Sequence, residues 1–151
     1  MSVGTTYSFK DLVGVLTNLV FGVTIPIAGG NVGVGSITIV MATERTAHDT
    51  AADGVVMPSY VAGRSGTVTI ECQQTSTLHH ALLSLYNQVE SAANNDDVSS
   101  WAAANLSFRT ILDGATHICQ GVSFGKLGDK PYHAQGQRVQ WPLMACDIQN
   151  S

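Results

Sequence analysis

The chain has 151 residues, enough for one domain with a substantial core, and nothing in its composition divides it in two. Only 12% of it is Asp, Glu, Lys or Arg, against roughly a quarter in a typical soluble domain, and the net charge is −4. The basic residues Lys10, Arg45, Arg64, Arg109, Lys126, Lys130 and Arg138 are scattered, which argues against tight nucleic-acid binding, since that needs clustered cations.

The first residues, MSVGTTYSFKDL, lack a basic n-region and an apolar h-region, so no secretory signal is expected. Thr5–Lys10 is aromatic and β-branched and predicts a strand. No charged side chain then occurs between Asp11 and Glu44. Thr, Ser, Asn and Gly fill the gap, so this is not a membrane span; Asn18, Pro26 and the glycines after Ala28 interrupt it and no Lys or Arg cluster flanks it. Leu12–Thr17, Phe21–Ile27 and Gly33–Thr43 read as strands. The glycine-rich run Gly29–Gly35 invites a phosphate-loop reading, but a strand follows where a phosphate loop needs a helix N-terminus, and no Lys follows; a bend or bulge accounts for it.

Segment Glu44–Gly66 differs in kind. Glu44, Arg45, Asp49, Asp53 and Arg64 bring charge back abruptly, and Asp53-Gly54 near the middle predicts a hairpin tip. Arms of about nine residues would project roughly 30 Å. A two-stranded hairpin of that kind is marginal alone in water and calls for a partner surface; a disordered loop is the plainer alternative.

Thr67–Gln74 alternates cleanly: Val68, Ile70 and Cys72 on one face, Thr67, Thr69, Glu71 and Gln73 on the other. One helix follows at about 77–93, with N-cap hydroxyls at Thr75-Ser76-Thr77, an apolar stripe of Leu78, Leu82, Leu85, Tyr86 and Val89, and a stop at Asn94-Asn95-Asp96-Asp97. Leu106–Leu112 and Thr116–Phe124 flank Asp113-Gly114, a hairpin signal. A loop at 128–136 leads into Gln137–Ile148, where Val139, Trp141, Leu143 and Ala145 share one face. Trp101 and Trp141 are expected in the core. The fold class is therefore mainly β: a β-sandwich or partly open β-barrel with one flanking helix and a projecting hairpin at about 44–66.

Chemistry-bearing motifs are scarce. His79 and His80 are about 100° apart on the helix and cannot share a metal comfortably; there is no zinc spacing, no nucleophile elbow and no acid/base constellation. No cofactor, metal or catalytic residue is expected. Cys72, Cys119 and Cys146 are odd in number and not in CxxC spacing, so a disulfide framework is not expected and a reducing cytoplasm is. A surface this poor in charge is weakly defended against self-association, which points to a β-rich subunit covered largely by copies of itself.

The ordered segments YSFKDLVGVLTN, IPIAGGNVGVGSITI, ATERTAHDTAADG, IECQQTSTLHHALLSLYN, SFRTILDG and VSFGKLGDKPYHAQGQ resemble the tail tube proteins of contractile-tailed bacteriophages over nearly the whole chain. The resemblance extends to pyocin and type VI secretion tubes. It implies hexameric rings stacked into a hollow tube inside a contractile sheath, begun on a baseplate or tube initiator, with a tape-measure protein in the lumen and double-stranded DNA passing without specific binding. It also implies a virion component assembled in the host cytoplasm, with no enzymatic activity and no membrane insertion. Other ring-forming tail parts, a tail terminator or baseplate hub ring, and a lectin-like β-sandwich binding module are the alternatives. Glu44, Arg45, Asp49, Asp53 and Arg64 are the expected contacts between subunits or rings. Ser36, Thr38, Thr67, Thr69, Glu71 and Gln73 are the expected lumen face, with Glu71 as a repulsive girdle toward DNA; packing of this face under the helix or against a neighbour is the alternative.

Overall fold

The computed structural model describes residues 12–28, 33–42, 44–111, 114–126 and 134–150. The expected strand at Thr5–Lys10, the bend at 29–32, Asp113 of the second hairpin signal and most of the loop at 128–136 lie outside the described residues. In chain order the elements are β1 (Leu12–Asn18), β2 (Val23–Ala28), β3 (Val34–Met41), β4 (Thr46–Thr50), β5 (Val56–Tyr60), β6 (Gly66–Gln73), α1 (Thr77–Asn94), β7 (Ala104–Thr110), β8 (Thr116–Phe124) and β9 (Arg138–Asn150).

Seven strands make one antiparallel sheet in the order β2-β1-β7-β8-β9-β6-β3, and β4 pairs with β5 apart from it. The alternation in β6 and β9 shows why. Val68, Ile70 and Cys72 face Leu143, Trp141 and Val139 across the ladder, and all six are essentially inaccessible. Helix α1 touches both β2 and β6, which stand near opposite ends of the strand order, so the sheet must curl around it. Of the two expected architectures, the partly open barrel is the one formed: one curled sheet rather than two stacked ones.

The helix seals the opening with Leu78, Leu82, Leu85 and Val89, each buried and each contributing about 1.5–3 kcal/mol relative to exposure. Its start is set by Ser76, whose Oγ accepts from the His79 N–H at 3.1 Å and donates to the Gln73 carbonyl at 2.6 Å. The Trp141 indole N–H donates to His79 Nδ1 at 3.1 Å, so the one polar group on this buried ring is satisfied. Phe124 and Tyr86 close the cluster, with Phe124 edge-on to both Tyr86 and Trp141.

Boundaries shift where local turns take residues from strands. Phe21 was expected in β2 but lies in a turn: Asn18 Oδ1 accepts from Val20 N and Phe21 N, and the Asn18 carbonyl accepts from Gly22 N. Sequence periodicity also starts β7 late; the strand begins at Ala104 and ends at Thr110. Trp101 corrects an expectation. It is 39% exposed, not a core anchor, because it sits in the turn before β7 rather than on a strand.

Candidate functional site

Met41 pairs with Gly66 at the end of the β3–β6 ladder, and two backbone bonds carry the pairing onward: Ala42 N to Ser65 O at 3.0 Å and Val61 N to Arg45 O at 2.9 Å. The β4–β5 arm is thus the outer part of one long β3–β6 hairpin. Gly66 permits the crossing at its base, since a Cβ there would lie 2.5 Å from the Val40 carbonyl oxygen and 2.7 Å from Ile148 Cδ1. The tip falls at Asp53-Gly54 as expected, with Gly54 at φ +91° and Asp53 Oδ1 accepting from Val55 N at 3.1 Å. The paired arms are five residues each, about 17 Å, shorter than expected. Past Val61 regular pairing breaks, and there the Arg45 guanidinium donates to the Ala62 and Gly63 carbonyls.

Every residue of β4 and β5 is exposed, including Val56 at 46%, Met57 at 58% and Tyr60 at 77%. The five charged residues expected at contacts divide into two groups. Arg64 forms an ion pair with Asp147 of its own chain at 2.8 Å. Arg45 donates to the Tyr60 hydroxyl at 2.8 Å and lies over its ring at 5.2 Å. Glu44, Asp49 and Asp53 make no ion pair among the described residues.

The second surface is the sheet face opposite the core. Register places Ser36 beside Glu71, Thr38 beside Thr69, and Val40 beside Thr67, and β9 extends the rows with Gln140, Pro142 and Met144. Ser36, Thr38, Thr67, Thr69 and Glu71 therefore share one face, with Gln73 at its rim beside Arg138. The helix covers the other side of the sheet, where Val68, Ile70 and Cys72 point, so this face does not pack under it. Sequence reasoning missed Arg138, whose guanidinium meets the Glu71 carboxylate at 3.1 Å. Glu71 is thus half of an ion pair, and the face is closer to neutral than a bare acidic row. Alternation within β9 does put Arg138 opposite the buried Val139, but only the β6–β9 register sets it next to Glu71.

Burial pushes the Cys119 thiol up to about 11, with the Asp147 carboxylate adding to the shift, and burial likewise raises Cys72. Both thiols are neutral near pH 7 and poor nucleophiles. Among the described residues no group of three His, Cys, Asp or Glu side chains is placed to hold a metal, and no helix is long and apolar enough to cross a membrane.

Solved structures share this fold. A chain of the anti-feeding prophage cap, a tube-terminating cap, aligns over 100% of this chain and 94% of its own with a TM-score of 0.62 at 9% identity. The sheath/tube terminator of an extracellular contractile injection system, PVC, aligns over 99% of both chains at 0.59 and 10% identity. A chain of the sheath-tube complex of that system covers 99% of this chain and 93% of its own at 0.60 and 11% identity. At such identities the likeness is one of fold. No curated protein matches the sequence. The family model of the bacteriophage PhiTE tail tube protein, however, matches residues 4–151, nearly the whole chain. With its partly open barrel, its covering helix and its exposed arm, the chain belongs to this tail tube family.

Proposed function

We propose that the chain is the tube subunit itself: hexameric rings of it stack into a hollow tube within a contractile sheath and form the conduit for DNA ejection from the virion. The observation that carries this reading is the arm. A two-stranded hairpin with every residue exposed and a row of apolar side chains is unstable alone and is completed by a neighbouring copy. Glu44, Asp49 and Asp53 carry the free charge of that contact, and Arg45 and Arg64 shape the arm's base. The polar face of Ser36, Thr38, Thr67, Thr69, Glu71 and Gln73 lines the lumen. A conduit must let a polyanion slide, and a wall of hydroxyls with a neutralised Glu71–Arg138 pair offers no cation row to hold phosphates. The tube starts on a baseplate initiator, encloses a tape-measure protein, lies inside the sheath protein and assembles in the host cytoplasm. Its role is structural rather than enzymatic.

A tube-terminating ring is the second reading, favoured by the fold shared with the anti-feeding prophage cap. Electron microscopy of the purified chain over a wide concentration range tests both. Hollow tubes that lengthen with concentration support the subunit reading. Single rings that never stack favour the terminator, and monomer at every concentration, with no rings on any template, overturns both.

A further inference from the structure

We infer that the outer face of β1 and β7 binds a small aliphatic carboxylate, held at its charged end by Arg109 and along its chain by Val13 and Val15. The inference goes beyond the tube reading and does not depend on it. A cleft of about 320 Å³ lies on this part of the sheet, at the small end of the range for small-molecule sites. Val13, Val15, Ala28 and Phe108 line it, and Ser107, Arg109 and Thr116 edge it. Register explains the arrangement. Val13 stands beside Arg109 and Val15 beside Ser107 across the β1–β7 ladder, on the side away from the buried pair Leu16 and Leu106. Ala28 and Phe108 are almost covered, at 5% and 6% exposure, so Val13 and Val15 supply the open contact: an aliphatic bed with no ring to stack on.

Charge decides which ligand fits. The chain has four arginines. Arg64 and Arg138 are paired with Asp147 and Glu71, and Arg45 donates to two carbonyls and to the Tyr60 hydroxyl. Among the described residues the Arg109 guanidinium has no hydrogen bond or ion pair, and no described Asp or Glu lines the cleft. A guanidinium presents five N–H donors in a fork that matches a carboxylate. Ser107 lies two residues before Arg109 on the same side of β7, and its hydroxyl is also unengaged among the described residues, so both donors serve one carboxylate. Thr116 adds no donor, because its hydroxyl already donates to the Gly114 carbonyl at 3.3 Å. An ammonium is repelled by Arg109. An alcohol fills the bed but leaves the guanidinium unused, and an inorganic anion does the reverse. An aliphatic carboxylate satisfies both.

Ligand-observed NMR titration tests this on the full chain, below the concentration at which it assembles, with octanoate as the probe. Octanoate should bind, and affinity should fall about two- to fourfold for each methylene removed on going to hexanoate. Octanol and octylamine should bind at least about threefold more weakly than octanoate. Arg109→Gln should weaken octanoate about three- to tenfold and leave octanol unchanged. Val13→Glu, which sets a carboxylate beside Arg109, should weaken octanoate in the same way, with circular dichroism showing that each variant is folded. Absence of octanoate binding overturns the site. So does octanol binding as tightly as octanoate, or an unchanged octanoate affinity in folded Arg109→Gln. Equal affinity for hexanoate and octanoate removes the bed and reduces Arg109 to a surface cation, which overturns it as well. None of these outcomes bears on whether the chain forms tubes.

Discussion

Replacing Thr46–Tyr60 with Asn-Gly removes the arm while leaving the rest of the fold in place. Arg45 and Val61 then flank a two-residue hairpin, and the bond such a turn needs already exists, from Val61 N to Arg45 O at 2.9 Å. Asn-Gly favours the type I′ turn that suits the twist of the flanking strands. The loss is small because every residue of β4 and β5 is exposed and none belongs to the core. Arg45 gives up its bond to the Tyr60 hydroxyl and its position over that ring, exposed contacts of about 0.5–1 kcal/mol each. It keeps its bonds to the Ala62 and Gly63 carbonyls, and Arg64 keeps Asp147. A shorter connection offsets part of the loss, at about 0.6 kcal/mol per halving of length. The net change is within about 1 kcal/mol, or at most about 4 °C in Tm for a chain of this size. Calorimetry should show that small shift, while sedimentation and electron microscopy show monomer at concentrations where the parent chain forms tubes. Tubes from the shortened chain would refute the arm as the joint. A fall in Tm beyond about 10 °C would mean that the arm supports the core.

Leu82→Ala, at a fully buried position between α1 and the sheet, should cost about 2–5 kcal/mol in urea unfolding, and a loss under about 1 kcal/mol would contradict the helix as the seal of the barrel. Thr69→Lys with Glu71→Lys should leave tubes intact but slow DNA ejection from particles; unchanged ejection, or a tube structure with Glu71 on its outer surface, would remove these residues from the lumen. Cys146 is exposed while Cys72 and Cys119 are buried, so a maleimide should label one thiol quickly in the unassembled fold and three after unfolding. The folded state keeps the Cys119 thiol protonated where the unfolded chain ionises. Its contribution to stability is therefore intact below the ordinary value of 9.0 and lost as pH rises from there through about 11. Urea midpoints across that range should fall more steeply for the parent chain than for Cys119→Ala, and equal slopes would refute the assignment.

Local signals were read with success where one residue's neighbours in sequence decide its state. The buried face of β9 and the stripe on α1 follow from periods of two and 3.6, and the Ser76 cap from a hydroxyl placed just before the helix. The hairpin tip at Asp53-Gly54 follows from the need for a left-handed residue in a tight turn. Phe21 and Trp101 escaped that reading for a common reason. Aromatic character favours strand and core, but a side chain of Asn18 captured two backbone N–H groups and made a turn at Phe21, and Trp101 fell in a turn outside the barrel.

What the sequence by itself determined is which face of β6 and of β9 is buried, where the helix lies, and that a charged, hairpin-tipped segment stands apart from a charge-poor body. Only the tertiary structure decided which strands are neighbours. Alternation assigns a side chain to a face, yet says nothing of the strand beside it, since pairing partners are chosen by the burial of the whole sheet. Arg138 reaches Glu71 and Arg64 reaches Asp147 across separations of 67 and 83 residues, and both pairs exist because β6 lies along β9. The same pairing carries the polar face across β3, β6 and β9, for a register is a property of two strands and cannot be read from either one alone.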